Sequence, residues 1–317
     1  MLHVSLLLGV FLIFQVPVSS GFVEELATLT TPTGVIHGAL DLPSGAGPFP
    51  VALIIAGSGP TDRDGNSAML AGKNNSLKML AQSLATANIA SLRFDKRGIA
   101  ASTAAGPKEV DLRFENYVDD AAAWVEQLRH DKRFSTVTII GHSEGALIGA
   151  IAAARMHPNA FISVAGVGRS AGLVLREQIN GKLPAQLFQS NEKILRELEA
   201  GRTTEDVPPA LKSLYRASVQ PYLISWFKYN PAEFVASIKE PILICQGTTD
   251  IQVAVEEAEA LKKAVPNAKL VIIEGMNHVL KSVAADPAKQ TASYSDPALP
   301  INPELMKNII EFVPRAK

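Results

Sequence analysis

The sequence predicts an α/β protein, with a mostly parallel sheet covered by helices on both faces and a helical insertion late in the chain. Three observations predict it. Strand-like and helix-like runs alternate along most of the 317 residues. Several strand-like runs are continuously apolar, as strands buried on both faces must be. The alternation stops between residues 167 and 239 and then resumes.

The elements follow in order. Two strand-like runs, "FVEELATLT" and "GVIHGALDLP", flank the turn Thr31-Pro32-Thr33-Gly34. "VALIIA" (51–56) is a buried strand, and "NSLKMLAQSLATAN" (75–88) has helical spacing at Leu77, Leu80 and Leu84. "IASLRF" (89–94) is a strand, and "ENYVDDAAAWVEQLRH" (115–130) is an amphipathic helix. "TVTII" (136–140) leads into the small-residue helix "EGALIGAIAAARM", and "AFISVAG" (160–166) is the next strand. Residues 167–239 are helix-like, as in "EKILRELEAG" and "PALKSLYRASV", punctuated by Pro184, Pro208, Pro209 and Pro221. Strand "PILICQG" (241–247), helix "VEEAEALKKAV" (255–265), strand "KLVIIEG" (269–275) and helix "NPELMKNIIEFV" (302–313) complete the chain. Residues 21–166 and 240–317 thus form the core, and 167–239 the insertion.

Composition narrows the function. Apolar residues make up 47%, enough for a sizeable core. Lys plus Arg is 30 against 31 for Asp plus Glu, so nothing favours nucleic acid, whose binding needs basic clusters. The uncharged start, "MLHVSLLLGVFLIFQVPVSS", ends in small residues and reads as a signal peptide over 1–20. An uncleaved anchor is the alternative, but the apolar run is shorter than the ~20 residues a span needs. The mature protein is then expected to be secreted or periplasmic, with no stable membrane span. Cys245 is the only cysteine, so no intramolecular disulfide is possible.

Three residues carry the chemistry. "IIGHSEGALIG" holds Gly-x-Ser-x-Gly at Gly141, Ser143 and Gly145, between a buried strand and a helix. Such a turn strains the serine and exposes its hydroxyl. A serine hydroxyl needs a base. Of six histidines, His3 lies in the leader, His37 in an early strand, and His130 and His157 at helix ends. His142 packs under the serine. His278, in "EGMNHVL", remains as the base. Asp250, in "ICQGTTDIQV", is the carboxylate that would fix its tautomer. The bland reading of Asp250 is a helix cap, for which it lies several residues early. The chain order Ser143, Asp250, His278 places each residue just past a strand, where open α/β sheets bind ligands.

The loop "AGSGPTDRDGN" (56–66) admits other readings that fail on spacing. Asp62 stands where a dinucleotide loop needs its third glycine, and no Gly-Lys-Ser/Thr is present. A calcium loop starting at Asp62 would have Ser67 at its glycine position and Lys73 at its glutamate position. No metal or organic cofactor is expected. Asp62, Arg63 and Asp64 form either a salt-bridged scaffold or a site where Arg63 pairs with Glu144 or a substrate carboxylate. Arg97 is expected to pair with Asp95 or a neighbouring loop. Tyr215, Tyr222, Trp226, Phe227 and Tyr229 either form the insertion's own core or line an acyl or aryl pocket, with Trp226 and Phe227 as the candidate substrate contacts.

Taken together, "GSGPTDRDGN", "RFDKRG" (93–98), "GHSEG", "GTTDIQV" and "NHVL" resemble the α/β-hydrolase superfamily. The resemblance is to capped esterases and lipases related to the serine aminopeptidase group, and it covers nearly all of the mature chain. It implies that 167–239 is a helical cap. It implies an oxyanion hole made by the backbone N–H groups of Ser58 and Glu144, with donors typically worth ~3–4 kcal/mol each. Ala56 departs from the histidine common at the start of that loop, which bears on loop packing more than on the amide. The expected activity is hydrolysis of small-molecule carboxylic esters through an acyl-enzyme. A peptidase, amidase or thioesterase would share the triad, and a catalytically silent binding protein could share the fold. An epoxide hydrolase or dehalogenase would need Asp at position 143.

Overall fold

The structure is a computed structural model that describes residues 21–179 and 183–315. The leader expected over 1–20 lies outside the described residues.

An eight-stranded sheet is ordered β1-β2-β4-β3-β5-β6-β7-β8. Strands β1 (Phe22–Thr31) and β2 (Gly34–Pro43) form an antiparallel hairpin, and β2 also runs antiparallel to β4 (Ala90–Phe94). From β4 onwards all neighbours are parallel: β3 (Phe49–Ile55), β5 (Phe134–His142), β6 (Ala160–Val164), β7 (Ile242–Gly247) and β8 (Lys269–Ile273). Parallel strands need crossovers, and the helices that supply them cover both faces.

One face is covered by α2 (Phe114–His130), α3 (Glu144–Met156) and α9 (Val255–Ala264), whose apolar side chains join the larger core cluster. The other is covered by α1 (Ser76–Thr86) and α11 (Pro303–Phe312). The periodic Leu77, Leu80 and Leu84 of α1 are all buried, each contributing ~1.5–3 kcal/mol by leaving water. Helix α3 has no polar face; its small residues let it lie close to the central strands.

Between β6 and β7 the described residues hold helices α4 (Ala171–Ile179), α5 (Ala185–Glu199), α6 (Lys212–Tyr215), α7 (Gln220–Phe227) and α8 (Pro231–Ser237), and no strand. Helix α8 packs on α3 and α9, while α7 packs on α2 and α5. One helix, α10 (Pro287–Ser293), has no counterpart in the sequence reading. It is short and lacks an apolar period, and Asp286 starts it by accepting the Lys289 N–H. Among the described residues no helix is long and apolar enough to cross a membrane.

Candidate active site

Five loops meet at the carboxyl edge of the sheet, after β3, β4, β5, β7 and β8. Ser143 stands between β5 and α3 with φ 56° and ψ −124°, a conformation side chains normally avoid. Its glycines show why the strand can turn so abruptly. A Cβ on Gly145 would lie 2.3 Å from the Ile55 carbonyl oxygen, and one on Gly141 would lie 2.3 Å from that of Gly145. The motif therefore brings α3 directly against the ends of β3 and β5. Ser143 is partly exposed.

His278 and Asp250 come together. His278 Nδ1 lies 2.8 Å from Asp250 Oδ2, with both side chains buried. A carboxylate only accepts, so this bond places the proton on Nδ1 and leaves Nε2 with a free lone pair. Asp250 Oδ1 accepts the N–H groups of Gln252 and Val253. Burial raises the Asp250 pKa, but the charge and hydrogen bond of His278 and those two amides outweigh it, holding the carboxyl below its ordinary range. Gln246, in β7, also donates to Oδ2 and to the Val253 carbonyl. The two loops are tied by Gly247, where a Cβ would lie 1.9 Å from the Met276 oxygen, and by the Gly275 N–H to Thr248.

His142 links this pair to the elbow. Its Nε2 donates to the His278 carbonyl at 2.9 Å, and the two rings lie 4.8 Å apart. Burial and the neighbouring His278 push its pKa down to about 3. It is a neutral spacer under the serine. No hydrogen bond joins Ser143 Oγ to His278 among the described residues; such contacts often tighten only with substrate bound.

The loop after β3 reaches the elbow from the other side. A Cβ on Gly57 would lie 3.1 Å from that of Ser143. The backbone N–H groups of Ser58 and Glu144 have no acceptor among the described residues. Glu144 opens α3, where the first amides lack intrahelical partners. Its side chain does not meet Arg63. Instead Oε2 accepts from Lys96 at 3.0 Å and Oε1 from the Tyr222 hydroxyl at 2.5 Å. Lys96, in the "RFDKRG" loop, also donates to the Gly57 carbonyl at 2.6 Å and lies 4.8 Å from the centre of the Tyr117 ring. The sequence reading gives Lys96 and Gln246 no role, and it places Tyr222 among the insertion's aromatics without this contact. Lys96 has a signal, its place in that motif, and Tyr222 has one in the aromatic run of the insertion; Gln246 has none.

Asp62-Arg63-Asp64 forms the salt-bridged scaffold. Asp62 Oδ1 accepts the N–H groups of Asp64 and Asn66. The Arg63 N–H donates to Asp95 at 2.7 Å, and its guanidinium lies 3.7 Å from the same carboxylate. Asp64 accepts from Arg93. Arg97 pairs with Asp120 on α2 and with Thr33 in the β1–β2 turn rather than with Asp95, which Arg63 occupies. Trp226 stacks on Phe114 of α2, with centroids 6.2 Å apart and planes at 6°, and Phe227 packs beside it. Both rings belong to the packing of α7 on the core, and Tyr222 is the α7 side chain that reaches the elbow.

Comparison with known proteins agrees with this architecture. The serine aminopeptidase S33 family matches residues 71–207, a stretch that includes Ser143 but neither Asp250 nor His278. Esterase EstD of Thermotoga maritima is 27% identical over 250 residues, 78% of this chain; the match spans 58% of that curated relative's length. Among solved structures, Est1E of Butyrivibrio proteoclasticus, described with ferulic acid bound, superposes with TM-score 0.59. It is 21% identical, over 88% of this chain and 95% of its own. Pyrococcus furiosus esterase Pf2001 gives TM-score 0.58 at 16% identity, over 96% of each chain.

Proposed function

We propose that this chain is an α/β hydrolase and, as such, a serine carboxylesterase acting on small-molecule esters through an acyl-enzyme, a reading its similarity to esterases supports. Ser143 Oγ attacks the ester carbonyl. His278 Nε2 takes its proton and passes it to the leaving alcohol. Asp250 holds the imidazole in the required tautomer and stabilises its charged form. The amides of Ser58 and Glu144 receive the oxyanion. Water, activated by the same histidine, releases the acid and restores Ser143. The observation that carries this reading is the Asp250–His278 bond at 2.8 Å, on the same sheet edge as the strained Ser143.

The S33 match favours one second reading, an aminopeptidase. Such an enzyme needs a free acid for the substrate ammonium. Both oxygens of Glu144, the carboxylate beside the nucleophile, are already engaged. The esterase reading therefore stands first. The apolar leader further supports export with cleavage near Ser20 or Gly21, which the N-terminal mass of the exported protein would show.

The test is a panel of nitrophenyl esters from acetate to palmitate, run beside aminoacyl nitroanilides. Ester turnover abolished in Ser143→Ala, with fluorophosphonate labelling confined to Ser143, is expected. Preference for nitroanilides would overturn the assignment.

A further inference from the structure

Lys96 is one of the most buried cations in the chain, with 1% of its side chain exposed. A lysine is costly to bury unless its charge is paired and its donors satisfied. Besides the Tyr117 ring, its contacts are hydrogen bonds to the two elements that carry the free amides at the sheet edge. The first is the Gly57 carbonyl. That oxygen and the Ser58 N–H are opposite ends of one planar peptide unit, which in the trans form points them in opposite directions. A cation held on the oxygen fixes the plane and so fixes the direction of the N–H. It also draws electron density from the nitrogen, making the N–H a stronger donor. The second contact is the Glu144 carboxylate, whose other oxygen is held by Tyr222 from α7. That residue's backbone N–H is the other free amide.

Resting on the serine-esterase reading above, we propose that Lys96 is a positioning residue for the oxyanion hole. It locks the Gly57–Ser58 peptide against the elbow. With Tyr222 it clamps Glu144, so that the amides of Ser58 and Glu144 face one point beside Ser143. The clamp also makes the helical segment between β6 and β7 part of the hole's support, since Tyr222 is its contribution. The resting enzyme is thereby preorganised for a charge that exists only in the transition state, which places the benefit in kcat rather than KM.

The test uses the full enzyme with Lys96→Met, Tyr222→Phe and the double variant Lys96→Met/Glu144→Gln. The double variant removes both charges and leaves no lone buried ion. Active sites are first counted by titrating a separate aliquot of each protein to completion with a fluorophosphonate. Then kcat and KM for nitrophenyl acetate, and inhibition by a trifluoromethyl ketone, are measured per titrated site. Removal of one oxyanion donor typically costs about 10²–10³ in rate. Loosening both should lower kcat about 10- to 100-fold in the double variant, with KM within about twofold. The ketone, which forms a tetrahedral adduct, should weaken by the same factor. Tyr222→Phe should show a smaller effect in the same direction, and it carries the test should the Lys96 variants not fold. Unchanged kcat per titrated site, with only a lowered Tm, would overturn the proposal and leave the esterase reading standing. A wild type that neither labels at Ser143 nor turns over esters would remove that reading and this inference with it.

Discussion

His142 donates its Nε2 proton to the backbone carbonyl of His278, 2.9 Å away. The residue before Ser143 thus grips the backbone of His278, the proposed base, and it does so as a neutral ring. Its folded pKa of about 3 lies below the ordinary 6.5. In that interval the unfolded chain binds the proton and the folded one does not, so stability rises with pH. The contribution is complete above pH 6.5 and is lost as pH falls towards 3, by up to ~1.4 kcal/mol per unit. Asp250, whose pKa is depressed, adds a further loss only below its ordinary 3.8. We expect Tm to fall steadily from pH 6.5 to 4.5. His142→Gln keeps a donor for the carbonyl and should show a lower Tm at pH 7.5 but a flatter slope. Thermal scans that give the two proteins equal slopes would refute this origin of the pH dependence.

Asp250→Asn should test the base more sharply than deletion does. Oδ1 accepts two backbone N–H groups, so an asparagine will keep its oxygen there. Its NH2 then replaces Oδ2 and faces His278 Nδ1. Two donors cannot share one bond, so the imidazole must carry its proton on Nε2, where it cannot act as a base. We expect kcat to fall by about 10³–10⁴ with KM little changed, as for comparable triads. Tm should stay within a few degrees. A kcat within tenfold of wild type would assign the base elsewhere.

How much of this was legible in the sequence depended on whether the signal was local. The strands showed because each is a contiguous apolar run, and the elbow because Gly141, Ser143 and Gly145 must be small or strained at alternate positions of one five-residue stretch. The catalytic candidates were legible through their order along the chain. The Lys96–Glu144–Tyr222 cluster was not, because its members lie on three loops or helices and meet only in the fold. Of the two readings of Asp62-Arg63-Asp64, the salt-bridged scaffold is the one found: Arg63 does not meet Glu144, and Asp95 accepts its backbone N–H at 2.7 Å and lies 3.7 Å from its guanidinium. Helix α10 was invisible because a cap, not an apolar period, defines it.

Two glycines should separate close packing from backbone freedom. Gly145→Ala would drive a Cβ to 2.3 Å from the Ile55 oxygen, a backbone atom that cannot step aside. We expect a loss of about 3 kcal/mol or more, together with reduced kcat per active site, because β3 must shift and Gly57 with it. Gly59→Ala meets nothing within 4 Å, and its cost is that of a φ of +68° alone, about 1 kcal/mol. Urea midpoints for the two variants should differ accordingly. If they are equal, tight packing is not what requires Gly145.

The last prediction concerns what Asp64 is for. Arg93, on β4 and 1% exposed, reaches three carboxylates: Asp64 through Nε at 2.8 Å, Asp41 through Nη1 at 3.0 Å, and Glu24 through Nη2. The loop that carries the Ser58 amide is therefore anchored to the hairpin strands through one guanidinium. Asp41 is wholly buried, and burial raises its pKa even with Arg93 beside it. Arg93→Met would strand that carboxylate, at a cost of about 3–5 kcal/mol at neutral pH. Without the arginine, Asp41 should instead take up a proton as pH falls. Its uncompensated charge then disappears, so the gap to wild type should narrow between pH 7 and pH 5. Arg93→Met/Asp41→Asn should recover much of the loss at neutral pH. It should not restore the loop, since Asp64 remains without its anchor. Denaturant midpoints at the two pH values measure the first effect, and kcat per titrated site measures the second. A double variant with wild-type kcat would show that the loop carrying Ser58 holds its shape without the Asp64–Arg93 anchor.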